Sequence, residues 1–235
     1  MEMAFYPIVR FFQMGGIFMF PIALVLAVGL AIAFERWVHL KRVRDANQKM
    51  WDLLYPALAK GEFDKAREMA NKDKSSLAQM LGMGLARQGA VTRRQDIEIA
   101  MEESMMEIIP QLEKRTPYLA LLSNIATLFG LLGTIMGLIE AFTTVATASP
   151  AEKATLLSAS ISVAMNCTAF GLMTAIPLLL LHARLTTTTG QIVNSLEMAS
   201  VKALNTISNF SKRQFDRSPI LPSATLVGAD HDQAA

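Results

Sequence analysis

The chain is short of the residues that most binding and catalytic chemistry needs. Its 235 residues include one cysteine, Cys167, and three histidines, His39, His182 and His231. One thiol excludes an intramolecular disulfide framework and a cysteine-based metal cluster, and three scattered imidazoles cannot build a metal site alone. Charge is scarce too. Asp, Glu, Lys and Arg make up 18% of the chain, against about 25% in an average soluble domain. The 22 Lys and Arg nearly balance the 20 Asp and Glu, for a formal net charge of +2. A nucleic-acid binder would carry a basic face or stripe, so nucleic acid is not an expected partner.

What is abundant is apolar: 52% of the residues are hydrophobic and the mean hydropathy is +0.33. Three stretches, 11–34, 116–139 and 154–183, contain no Asp, Glu, Lys or Arg. A helix that crosses a bilayer needs about 20 mainly apolar residues, so each is long enough. Ala31-Ile32-Ala33 resembles a signal-peptide cleavage site, but only Arg10 precedes the first run, whereas Arg36, Lys41, Arg42 and Arg44 follow it. A signal peptide has the opposite flanks, so a retained span is expected.

Charge sets the expected orientation. Of the 22 basic residues, 15 fall in 35–117 and five beyond 183, leaving Arg10 and Lys153 for the other side. Basic loops stay in the cytoplasm. The expectation is therefore an all-α membrane protein with three transmembrane helices whose long helices extend into a cytoplasmic helical bundle. The divisions are a periplasmic N-terminus (1–10), a first span (11–34), a cytoplasmic domain (35–116) and a second span (117–147). A periplasmic turn (148–154), a third span (155–183), a cytoplasmic helix (184–217) and a disordered tail (218–235) complete the chain.

The cytoplasmic segment lacks strand-like alternation. Trp37, Leu40, Val43, Trp51 and Leu54 continue the first span as a helical stripe up to Gly61, and 62–71 reads as a short helix. Ser75-Ser76 caps a further helix that Gly89 ends, and Thr92-Arg93-Arg94-Gln95 matches a capping box. From there Ile97, Met101, Met105, Ile108 and Leu112 lead into the second span, with kinks expected at Pro110 and Pro117. If continuous from 93 to 146, that helix would be about 80 Å long.

The informative side chains are polar ones inside the spans. Ser123, Thr127, Gly130 and Thr134 share one face of the second span, beside a GxxxG pair, Gly133 and Gly137. The third span carries two small-polar stripes: Ser158, Ser162 and Asn166 on one face, and Ser160, Ala164, Thr168, Gly171 and Ala175 on another. Such residues glue helices together in most bundles, and they can also line a narrow hydrated pathway. No Asp, Glu, Lys, Arg or His sits in the middle of any span, and Glu140 lies near the outer end of the second. Hydroxyls hold water but do not titrate, so any proton moved here needs a carboxylate from a partner. No phosphate loop, nucleophile elbow or paired intramembrane carboxylates are present, so neither an enzyme nor a cofactor is expected. Cys167 reads as a small buried apolar residue.

The run Ile125-Ala126-Thr127-Leu128-Phe129-Gly130-Leu131-Leu132-Gly133-Thr134-Ile135-Met136-Gly137 resembles the second-span motif of the ExbB/TolQ/MotA proton-channel family. Thr168-Ala169-Phe170-Gly171-Leu172-Met173-Thr174-Ala175-Ile176-Pro177 resembles its third-span motif, and the likeness extends over about 15–205, including the Glu35-Arg36 junction. The resemblance is closest to the ExbB/TolQ-like biopolymer transport proteins, since MotA-type stators have four spans. It implies a homopentamer in the bacterial inner membrane, with the second and third spans lining a pore. Single-span partners of the ExbD/TolR type would sit inside, each bringing an intramembrane aspartate, and work would pass to a TonB- or TolA-like protein. The family's two pore threonines fall on Thr134 and Thr168. Many members carry a glutamate five residues before the second threonine, where this chain has Val163. The rival reading is a non-conducting oligomeric membrane scaffold. A transporter is disfavoured because three spans hold no inverted repeat.

Overall fold

The structure is a computed structural model and describes residues 16–88 and 94–216, the stretch 211–216 by backbone alone. The expected periplasmic N-terminus, the first residues of the first span, Gly89, Thr92 of the capping box and the tail from 218 lie outside the described residues. Six helices follow in order: α1 (Met19–Lys60), α2 (Phe63–Lys72), α3 (Ser76–Arg87), α4 (Arg94–Glu113), α5 (Thr116–Thr147) and α6 (Lys153–Asp216). No strand occurs among the described residues. Three helical stretches, in α1, in α4–α5 and in α6, are long and apolar enough to cross a membrane. The chain is an all-α membrane protein.

Two physical regimes operate along the same rods. Outside the spans α2, α3 and α4 pack with the C-terminal parts of α1 and α6 around Leu40, Leu54, Leu58, Met80, Met101 and Leu196, all with under 2% of their surface exposed. Full burial of such a side chain contributes about 1.5–3 kcal/mol where water is the alternative. Ser75 caps α3 by accepting from the Ala78 N–H at 3.3 Å. Gly61 ends α1 at φ 78°, a left-handed conformation that favours glycine. A Cβ there would also meet the Phe210 ring at 2.8 Å, so the stop signal doubles as a docking point for α6.

The expected long helix from 93 to 146 is not continuous. It breaks at Lys114–Arg115, where Arg115 has φ 66°, and restarts with Pro117 in the first turn of α5. Proline cannot donate to the carbonyl four residues back and fits best in a first turn. The chain therefore stops at Glu113 instead of bending through 117. Pro110, by contrast, stays inside α4, and α6 runs through Pro177 and Gly190 without interruption.

The first span clasps this break. Arg36, only 4% exposed, donates from Nη2 to the Leu112 carbonyl in the last turn of α4. Its neighbour Glu35 accepts from Arg115 Nη1 at 2.7 Å. A cation on a helix C-terminus opposes the negative end of the dipole and satisfies an orphan carbonyl. Burial pushes the His39 imidazole below its ordinary value, and the charge on Arg36 adds to the effect while Glu35 opposes it.

In the membrane part the helices meet through small residues, because lipid gives little hydrophobic drive for helix association. A Cβ on Gly171 would lie 2.8 Å from the Ala126 carbonyl oxygen and 3.0 Å from the Gly130 Cα, both backbone atoms. Gly190 of the same helix has nothing within 4 Å. Gly171→Ala is therefore expected to destabilise the protein by about 1–3 kcal/mol, and Gly190→Ala to be neutral or stabilising by up to about 1 kcal/mol. Thermal unfolding in detergent, followed by circular dichroism, reads the contrast. Equal midpoints for the two variants would contradict this packing.

Candidate functional site: the α5–α6 seam

The polar residues singled out in the spans are ordered by the register between α5 and α6. Ser123 Oγ donates to the Ala175 carbonyl at 2.8 Å. Gly130 lies against Thr168 and Gly171, Gly133 against the Cys167 Sγ, and Gly137 against Ala164. The residue numbers in each pair sum to about 300, the mark of antiparallel helices in a fixed register. This register sets Thr134 level with residue 166, so Thr134 and Thr168 differ in depth by about 3 Å at 1.5 Å rise per residue.

Both threonine hydroxyls have committed their hydrogens. Thr168 Oγ1 donates across the seam to the Gly130 carbonyl at 2.9 Å, and Thr134 Oγ1 donates to the Leu131 carbonyl at 2.6 Å. Each oxygen keeps lone pairs that can accept. Thr134 and Thr168 are half-buried at the edge of the seam, and Thr127, about two turns earlier on α5, is exposed and donates to the Ser123 carbonyl at 3.1 Å. A hydroxyl fixed in this way favours a partner that offers a hydrogen: water, or a carboxyl group in its protonated form.

The two stripes of the third span have separate fates. Ala164, Thr168, Gly171 and Ala175 belong to the seam. Ser158 is exposed, Ser162 and Asn166 are half-buried, and none of the three makes a hydrogen bond among the described residues. Val163, at the position where the resemblance leads one to expect a glutamate, faces the start of the first span: its Cγ1 would be 3.4 Å from a Cβ on Gly16. Gly130, Gly133 and Gly137 are all buried, so the GxxxG pair joins two helices of one chain.

Two residues, Cys167 and Thr174, carry more weight than the sequence pattern gave them. Cys167 is buried at 1% exposure because its Sγ occupies the space that a Cβ on Gly133 would need. Thr174 is wholly buried and its hydroxyl has no partner among the described residues. Its signal is the spacing of 167, 171, 174 and 178, the inner stripe of α6. Asn124 stands exposed in the second span beside the buried Ser123. Among the described residues no group of His, Cys, Asp or Glu could hold a metal ion.

Comparison with known proteins adds identity to this geometry. Residues 72–198, more than half of the chain, match the family described as the MotA/TolQ/ExbB proton channel family. The chain is 30% identical over 172 residues to a putative biopolymer transport protein, ExbB-like 1, of Synechocystis sp., covering 70% of this chain and 65% of that protein. It is 32% identical over 123 residues to the Tol-Pal system protein TolQ of Haemophilus influenzae, covering 51% of each. The chain thus spans about two thirds of one relative and half of the other. By the family match and the paired motifs on α5 and α6, the chain belongs to the MotA/TolQ/ExbB proton channel family.

Proposed function

We propose that this chain is the proton-channel subunit of an inner-membrane complex that couples the proton motive force to work on the outer membrane. The observation that carries the reading is the pair Thr134 and Thr168, held at nearly one depth on the α5–α6 seam with their hydroxyl hydrogens already donated to carbonyls. Such oxygens accept a hydrogen bond from a neutral carboxylic acid and offer nothing to a carboxylate. They therefore favour the protonated state of a carboxyl group beside them. The titrating group is an aspartate of a single-span ExbD/TolR-like partner, because the middles of the spans carry no ionisable side chain. Protonation lets that aspartate sit against the seam, and loss of the proton drives it off towards water.

In this reading the chain assembles as a homopentamer around the partner, and a TonB- or TolA-like protein receives the work. Gly130, Gly133, Gly137, Ala164 and Gly171 keep the seam closed, and Thr127 extends the hydroxyl row inwards. Ser158, Ser162 and Asn166 face neighbouring subunits. The N-terminus is periplasmic and the C-terminus cytoplasmic.

Thr134→Val and Thr168→Val keep side-chain shape but remove the acceptor. Each is expected to lower proton flux in liposomes containing chain and partner by about tenfold, the equivalent of one hydrogen bond, with assembly unchanged, while Thr→Ser at either position retains flux. Full flux in both valine variants would contradict the role given to the two hydroxyls, and no flux with the unsubstituted chain and its partner would favour the non-conducting scaffold. Orientation has its own test, in a Cys167→Ala background. A single cysteine at Ser149 should react with an impermeant maleimide in spheroplasts, and one at Lys65 only after lysis. The reverse pattern would invert the topology.

A further inference from the structure

A cavity of about 440 Å³ opens in the cytoplasmic bundle where α1, the N-terminus of α3 and α6 converge. Its walls include Arg44, Asn47, Trp51, Asp52, Leu77 and Lys202. Asn47 is 5% exposed, and its Oδ1 accepts from the Leu77 N–H in the first turn of α3 at 3.1 Å. Because that N–H needs an acceptor, the orientation of the carboxamide is fixed. Its Nδ2 then has no partner among the described residues. A buried donor without an acceptor is costly, so its presence marks a place where an acceptor belongs.

The surroundings select the missing acceptor. The first turn of a twelve-residue helix borders the cavity at Leu77 and brings positive potential to it, and two cations, Arg44 and Lys202, outnumber one anion, Asp52, in its walls. The Lys202 Nζ lies 6.0 Å from the centre of the Trp51 ring, beside an apolar wall. Arg44 is ten residues beyond Phe34, so the cavity starts about 15 Å inside the cytoplasm, out of reach of lipid headgroups. We propose that this cavity binds a small organic oxyanion, a phosphate or carboxylate carried on an apolar or aromatic body. The oxyanion pairs with Arg44 and Lys202 and the body packs on Trp51, while a small shift of the Asn47 side chain on binding turns its enclosed Nδ2 to the oxyanion. The ligand bridges the helices that continue the first and third spans, independently of what the spans conduct.

Trp37→Phe leaves Trp51 as the only tryptophan, a reporter inside the cavity. The purified full chain carrying that change is titrated with inorganic phosphate, AMP and phenylacetate at up to millimolar concentration. The expected result is a saturable change in Trp51 fluorescence with AMP, which assigns a phosphate, or with phenylacetate, which assigns a carboxylate. Arg44→Gln and Lys202→Gln, both at exposed positions, should weaken it about tenfold or more without moving the ligand-free unfolding midpoint. No saturable change, a response to inorganic phosphate alone, or binding indifferent to both glutamine variants would overturn the proposal.

Discussion

Everything in the membrane half depends on how closely the backbones of α5 and α6 approach at Gly130 and Gly171. A Cβ on Gly130 would lie 3.3 Å from the Cα of Gly171, and one on Gly171 3.0 Å from the Cα of Gly130. No side chain fits between them. Lipid is as apolar as leucine, so burying apolar surface there gains little, and the contact is held by dispersion and by hydrogen bonds such as Thr168 to the Gly130 carbonyl. The same contact sets the register, which in turn brings Thr134 and Thr168 to nearly one depth. Packing and site geometry are two consequences of one close approach.

The bundle outside the spans obeys the other rule. Leu40, Leu54, Met80, Met101 and Leu196 are sealed from water, and burial holds them. The two regimes meet at the Arg36 clasp. There a buried guanidinium serves a helix C-terminus and an ion pair at 2.7 Å fixes the left-handed Arg115. The break separates the bundle from the second span, and the clasp ties both sides of it to the first.

The spans were legible in the sequence because three charge-free runs, each long enough to cross a bilayer, leave so short a chain little room for a soluble core. The α3 cap was legible too, since a serine before an apolar helical stripe has a local mechanism. Less legible was the break at 114–115. Proline announces a disturbance near 117, but the stop at Glu113 depends on Arg36, which comes from α1 to cap the helix end. The split between the stripes of α6 was equally hidden. Ser158, Ser162 and Asn166 carry the same residue types as the seam, and only the packing of α5 shows which stripe is covered. Asn47 gave no signal at all: an asparagine on a polar stretch of helix is ordinary until Leu77 is brought against it.

The proposed mechanism divides the labour between two chains: this one supplies fixed acceptors, and another supplies the group that titrates. Proton uptake by liposomes tests that division directly. The chain reconstituted alone should leave the membrane proton-tight, and addition of a single-span partner with an intramembrane aspartate should open the pathway. Changing that aspartate to asparagine should close it again. Proton flux through the chain alone would contradict the division.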